Sequence, residues 1–153
     1  MTELYQKKEY AVAIPVARQA LTAAKNQYGG ASAETALSLN NLGMLYKKEK
    51  QYANAEDCYQ RALTISEKIV GPMHPDLTVT LNNMALLYAA QGEYGKAFTV
   101  SDRALNILET KYGPSSPNVA QALTRYAALK RKAGRTADAD KLDARAKKNT
   151  GSR

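Results

Sequence analysis

The sequence predicts an all-α solenoid of stacked helix-turn-helix repeats, and three observations carry that prediction. A shift of 42 residues lays Thr35–Asp76 onto Leu77–Asn118 with fifteen identities. They are Leu39/Leu81, Asn40/Asn82, Asn41/Asn83, Leu45/Leu87, Tyr46/Tyr88, Tyr52/Tyr94, Ala55/Ala97, Arg61/Arg103, Ala62/Ala104, Leu63/Leu105, Ile65/Ile107, Glu67/Glu109, Gly71/Gly113, Pro72/Pro114 and Pro75/Pro117. A fixed period of this length marks an array whose units bury their apolar faces against their neighbours. Between the turns, apolar residues recur at helical spacing. Glycine and proline punctuate successive units at the same places, and a helix does not continue through them.

Residues 1–30 read as the second half of a repeat whose first helix is missing. Tyr10, Ala13, Ala20-Leu21 and Gly29 lie 42 residues before Tyr52, Ala55, Ala62-Leu63 and Gly71. Ala13, Ala17, Ala20, Leu21 and Ala24 form one apolar stripe, Pro15 predicts a kink or a late helix start, and Gly29-Gly30 ends the element. The unit 33–76 follows. Ser32 caps a helix over Ala33–Lys48, the turn is Lys47–Gln51, and a second helix runs from about Tyr52 to Val70. Gly71–Asp76 is a stiff connector, with Asp76 or a neighbour as the next cap. The unit 77–118 copies this with helices near Leu77–Ala90 and Tyr94–Tyr112 around Gln91-Gly92-Glu93. In 119–148 the pattern decays, keeping Leu123, Tyr126, Ala127 and Gly134, so a capping unit with a polar outer face is expected there. Residues 149–153 are expected to fray, and the whole of 1–148 to form one array. Missing its first helix, the chain reads as a piece of a longer one.

Within each unit the spacing Leu39-x2-Leu42-Gly43-x2-Tyr46, then Ala55-x3-Tyr59, then Ala62, resembles the tetratricopeptide repeat (TPR). The small residues Gly43/Ala85/Ala127 and Ala55/Ala97/Ala139 let paired helices approach closely. Leu39, Tyr46, Leu81 and Tyr88 fill the space between hairpins. The pattern weakens at Ser101, Lys130 and Asp143, where it asks for an apolar or aromatic group. Glu67 and Glu109 replace the proline that closes the motif, and the second helix continues to Gly71-Pro72, which stretches the usual period to 42. This longer form, with Leu-Asn-Asn-(Leu/Met)-(Gly/Ala)-x-Leu-Tyr, Arg-Ala-Leu-x-Ile and Gly-Pro-x-x-Pro, is similar to the repeats of kinesin light chain and their bacterial relatives. The resemblance covers residues 4–148, most closely 35–118. It implies a right-handed superhelical solenoid that binds peptides in a concave groove lined by the first helix of each hairpin. A repeat subfamily is shared by proteins with unrelated roles, so no kinesin role follows.

The residues beside the core positions on those first helices are the candidate site. They are Asn41, Met44 and Lys48, then Asn83 and Leu86 with Ala90, then Arg125 and Lys132 with Ala128. Asparagine both donates and accepts, which suits an extended peptide backbone, while Arg125 and Lys132 suit acidic groups or a terminal carboxylate. Asn40 and Asn82, one step round the helix, read as structural bridges.

The net charge of +8 is concentrated at one end: residues 119–153 hold ten Lys/Arg against three Asp, and residues 1–118 hold twelve against eleven Asp/Glu. Lys130, Arg131, Arg135, Lys141 and Arg145 therefore form a second candidate, a basic patch for nucleic acid or an anionic membrane. Nucleic acid is disfavoured, because no aromatic residue interleaves these charges and no nucleic-acid motif is present. A solvated array end that deters stacking is the simpler reading.

No chemistry of another kind is expected. The one histidine, His74, lies in the proline-flanked connector without metal-ligating neighbours, and Cys58 has no basic partner arranged around it. No catalytic residue, metal or cofactor is predicted, so the chain is expected not to be an enzyme. With a mean hydropathy of −0.48 and no apolar run of spanning length, it reads as soluble. A cytoplasmic location is expected unless an upstream signal is missing. The expected function is a protein-interaction scaffold for a peptide or protein segment, acidic in character. Self-assembly through the exposed edge of the half repeat is a further expectation.

Overall fold

The computed structural model describes residues 2–151, with side chains from residue 9 onwards. Among them lie seven helices: α1 (Thr2–Tyr28), α2 (Ala33–Lys48), α3 (Tyr52–Val70), α4 (Leu77–Ala90), α5 (Tyr94–Tyr112), α6 (Pro117–Lys132) and α7 (Thr136–Asn149). The chain divides into two compact units, Met1–Pro72 and Met73–Arg153. In the first, α1 packs on α2 and α2 pairs with α3; in the second, α4 pairs with α5, α5 packs on α6 and α6 pairs with α7.

The three hairpin turns share one hydrogen-bond scheme. The N–H groups of Gln51, Glu93 and Arg135 each donate to a carbonyl five residues back, on Tyr46, Tyr88 and Lys130, all at 2.8 Å. The scheme needs a left-handed residue just before the donor. Gly92 (φ 74°) and Gly134 (φ 77°) supply it without strain, but the first hairpin uses Lys50 at φ 58°.

Each unit has its own core. Leu39, Leu42, Tyr46, Ala55, Tyr59, Ala62 and Leu63 are buried in the first. In the second, Val119, Ala120, Leu123 and Ala146 cluster beneath Leu105, Leu108 and Leu142. The small residues Ala55, Ala97 and Ala139 are fully buried in all three hairpins, as close helix approach requires. Ser32 caps α2 by accepting from the Thr35 N–H (3.1 Å), and the buried Thr35 hydroxyl donates to the Gly29 carbonyl (2.8 Å), locking α1 to α2.

Four local expectations change. α1 runs unbroken through Pro15; the lost hydrogen bond is absorbed by alanine-rich flanks and by Leu21 and Ala24 buried on the α2 side. Asp76 holds the cap position of α4 but makes no side-chain cap, because its backbone is already helical (φ −60°, ψ −24°). The lead-in is held instead by the N–H of Leu77 on the His74 carbonyl and of Thr78 on that of Pro75. The last unit begins two residues early, with Pro117 at the first helical position and Ser116 accepting from the Val119 N–H. α7 ends at Asn149; Ser152 and Arg153 of the expected frayed tail lie outside the described residues, as does Met1.

Candidate functional site

In the first hairpin, Tyr59 of α3 is fully buried against Gly43 of α2. A Cβ at Gly43 would stand 2.7 Å from the Tyr59 ring, so any larger residue there would have to displace the ring. In the second hairpin the equivalent pair is Ala85 and Ser101. The added methyl does not replace the lost ring. A cavity of about 520 Å³ opens there, between α4 and α6 with α5 at its floor.

That cavity collects several of the expected residues. Asn83, Leu86 and Arg125 line it, joined by Asn82, Ser101 and Ala128. Its rim is apolar and open: Val79 is 61% and Leu86 56% exposed. The Arg125 guanidinium is exposed and has no hydrogen bond or ion pair among the described residues, and the Asn83 amide is likewise unpaired. Asn82, expected as a bridge, lines the cavity as well. Ser101 is the residue that sequence reasoning missed, although the break in the repeat pattern there was its signal.

The other groove candidates stand apart from it. Asn41, Met44 and Lys48 lie exposed along α2 in the first unit, with the Lys48 ammonium 5.3 Å from the Tyr10 ring centroid. Lys132 is exposed at the end of α6 and does not line the cavity. A second, shallower depression of about 640 Å³ lies between α6 and α7, lined by Ala120, Arg125, Asp143 and Lys147 among others.

Most of the basic patch is engaged internally. Arg131 pairs with Asp140 (2.8 Å) and Asp143 (2.6 Å), Arg135 with Asp138 (2.8 Å), and Arg145 with Glu109. Lys130 takes the place of Tyr46 and Tyr88 in the repeat; its ammonium sits 3.6 Å from the Phe98 ring centroid and 5.0 Å from that of Tyr126. An aromatic group therefore does meet these charges, but it comes from α5 and from within the core of the unit. Burial and a hydrogen bond to the Asp102 carboxylate raise the Tyr126 phenol above its ordinary value. Lys141 is exposed.

Cys58 is buried, which pushes its thiol up to about 11, the opposite of what a nucleophile needs. His74 stays within its connector, its Nδ1 3.2 Å from the Asp76 N–H. Among the described residues no group of His, Cys, Asp and Glu is placed to hold a metal ion, and no helix is long and apolar enough to cross a membrane.

Helical hairpins of one period, joined by a common turn and packed through small residues, define a helical-repeat protein. The family model for the tetratricopeptide repeat matches residues 4–68, 34–110 and 76–149. The chain belongs to the tetratricopeptide repeat family. Similar solved structures include BtubC (BKLC) from P. vanneervenii, with a TM-score of 0.81 at 24% identity over 94% of this chain and 57% of that one. A Podosopora anserina protein with nearly identical TPR-like repeats of the kinesin light chain kind has a TM-score of 0.79 at 15% identity, over 95% of this chain and 69% of that one. The chain thus spans little more than half the length of BtubC, and at these identities the likeness shows the α-solenoid fold alone. No curated protein matches the sequence. TPR repeats generally mediate protein–protein interaction and are generally non-catalytic.

Proposed function

We propose that this chain is a non-catalytic scaffold that binds a peptide or protein segment in the groove between α4 and α6. One observation carries the reading: an open apolar cavity brings two asparagine amides and an unpaired arginine to its wall. Asn82 and Asn83 can hold an extended backbone through paired donor and acceptor contacts. Val79, Leu86 and Ala128 offer an apolar surface for side chains. Arg125 favours a segment with an acidic group, because a guanidinium binds a carboxylate in a two-point geometry.

The basic end is the weaker candidate. Arg131, Arg135 and Arg145 already pair with carboxylates of the same unit, which leaves mainly lysines for an anionic partner. The test is a peptide-library selection on this chain beside the double variant Asn83→Ala with Arg125→Ala. The expected result is a shared motif containing an acidic residue that the double variant no longer selects. No motif, or equal enrichment of acidic sequences by both proteins, would overturn the groove. Steeply salt-dependent oligonucleotide binding would then favour the basic end.

A further inference from the structure

Tyr126 of α6 stands in the wall of the cavity between α4 and α6, which Ser101 of α5 also lines. Three contacts hold it. Its hydroxyl donates to the carboxylate of Asp102, the residue after Ser101. Its ring meets that of Phe98, one turn earlier on α5, at 6.0 Å between centroids and 48° between planes. The Lys130 ammonium, one turn further along α6, lies 5.0 Å from the ring centroid. The phenol end of Tyr126 is thus tied to the helix that floors the cavity. Asp102 is exposed, so no core packing calls for a carboxylate there.

One period earlier the sequence has Gln60 and Met84 at these two places, so neither the charge nor the ring belongs to the frame of the repeat. An unfilled cavity is unfavourable, because the groups lining it lose dispersion contacts on one side. A tyrosine in its wall removes that cost by turning its ring inward. A hydrogen bond to an ionised carboxylate is about twice as strong as a neutral one, and it opposes the turn.

We infer that Asp102 is a positioning residue: by accepting from the Tyr126 hydroxyl it holds the ring against α5 and out of the cavity, which keeps the space beside Ser101 open to a bound segment. The consequence for binding rests on the groove function proposed above, whereas the place of the ring is measurable with no ligand present.

The test is methyl NMR of the full chain, isotope-labelled at its alanines. Ala85 lines the cavity from α4, on neither helix to be altered, and a ring that moves over its methyl displaces the resonance. The Ala85 methyl is expected to shift in Asp102→Ala and to keep the parent position in Asp102→Asn, which still accepts a hydrogen bond. Tyr126→Phe removes the donor and is expected to give the same shift, with no further change when Asp102→Ala is added. An unmoved Ala85 methyl in Asp102→Ala, an equal shift in Asp102→Asn, or an added shift in the combined variant would overturn the inference. Should Asp102→Ala unfold, Tyr126→Phe carries the test, and an unmoved methyl there overturns the inference as well. Peptide-library selection is the second arm: a motif selected by the parent is expected to be lost from Asp102→Ala and kept by Asp102→Asn. Equal selection by Asp102→Ala would overturn the role of the ring in keeping the cavity open. A parent that selects no motif, while its methyls respond as expected, counts against the groove function and leaves Asp102 its role.

Discussion

The hairpins α2–α3 and α4–α5 share fifteen residues of their 42-residue period, yet differ in the pair that faces across each: the Tyr59 ring lies buried against Gly43 in the first, while Ser101 and Ala85 line a cavity in the second. The shared residues build the frame: Ala55/Ala97 at the closest helix approach, Leu39/Leu81 and Tyr46/Tyr88 in the core, and one turn geometry. Two differences separate them. Tyr59 against Gly43 places a fully buried ring inside the first hairpin, whereas Ser101 and Ala85 line the cavity of the second. The first turn strains a lysine where the second has glycine. A repeat thus keeps its fold through small-residue contacts, while one large-to-small exchange alters the space between its helices.

The largest expected effect comes from making the first hairpin hollow. Tyr59→Ser deletes a fully buried ring and should lower stability by about 3–4 kcal/mol in denaturant unfolding, as large-to-small core changes do. Next is Gly43→Ala. Its methyl collides with the Tyr59 ring, so it should cost about 1–2 kcal/mol even after the gain in helix propensity. In the Tyr59→Ser background the same change should become neutral or stabilising, and a double-mutant cycle measures that reversal. Equal costs in both backgrounds would show that the two residues do not set each other's size.

The turn offers a smaller effect of opposite sign. Lys50→Gly should raise stability by about 1 kcal/mol, read as a higher Tm, because it relieves the left-handed strain that Gly92 and Gly134 avoid. The buried Tyr59 hydroxyl gives a pH signature. It has no hydrogen-bond partner among the described residues, and burial pushes its phenol up to about 12. A raised value in the folded state means that this stability is complete below about pH 10, the unfolded value, and is lost as pH climbs toward 12. Tyr59→Phe should therefore be at least as stable at pH 7 and shift the alkaline unfolding midpoint upward. Smallest is Arg135→Ala, which removes an exposed pair with Asp138 and should change stability by less than about 1 kcal/mol.

The fold was legible because it is written in spacing. The 42-residue shift, the buried alanines and the glycine-proline connectors placed six of the seven described helices closely, and the Ser32 cap was readable from its own side chain. Caps at Asp76 and Ser116 were not, because whether a side chain caps depends on the backbone before it. Of the site, Asn83, Leu86 and Arg125 were legible from register alone. Ser101 was visible as a broken pattern but not as a hole, since a hole is a property of the facing pair and not of one position. The seat of Lys130 on Phe98 was invisible: Glu56 holds the register of Phe98 in the preceding unit, so the repeat carries no trace of that contact.

The measurement that tests the central claim most directly is the same peptide-library selection on a chain carrying Ser101→Tyr with Ala85→Gly, the pair that closes the first hairpin. Unfolding curves should show that this variant is at least as stable as the parent, because it fills a void with a pairing the protein already uses. The account predicts that affinity for the selected segment falls at least tenfold, about 1.4 kcal/mol. Selection of the same motif at the same affinity by a folded variant would show that the cavity takes no part in binding.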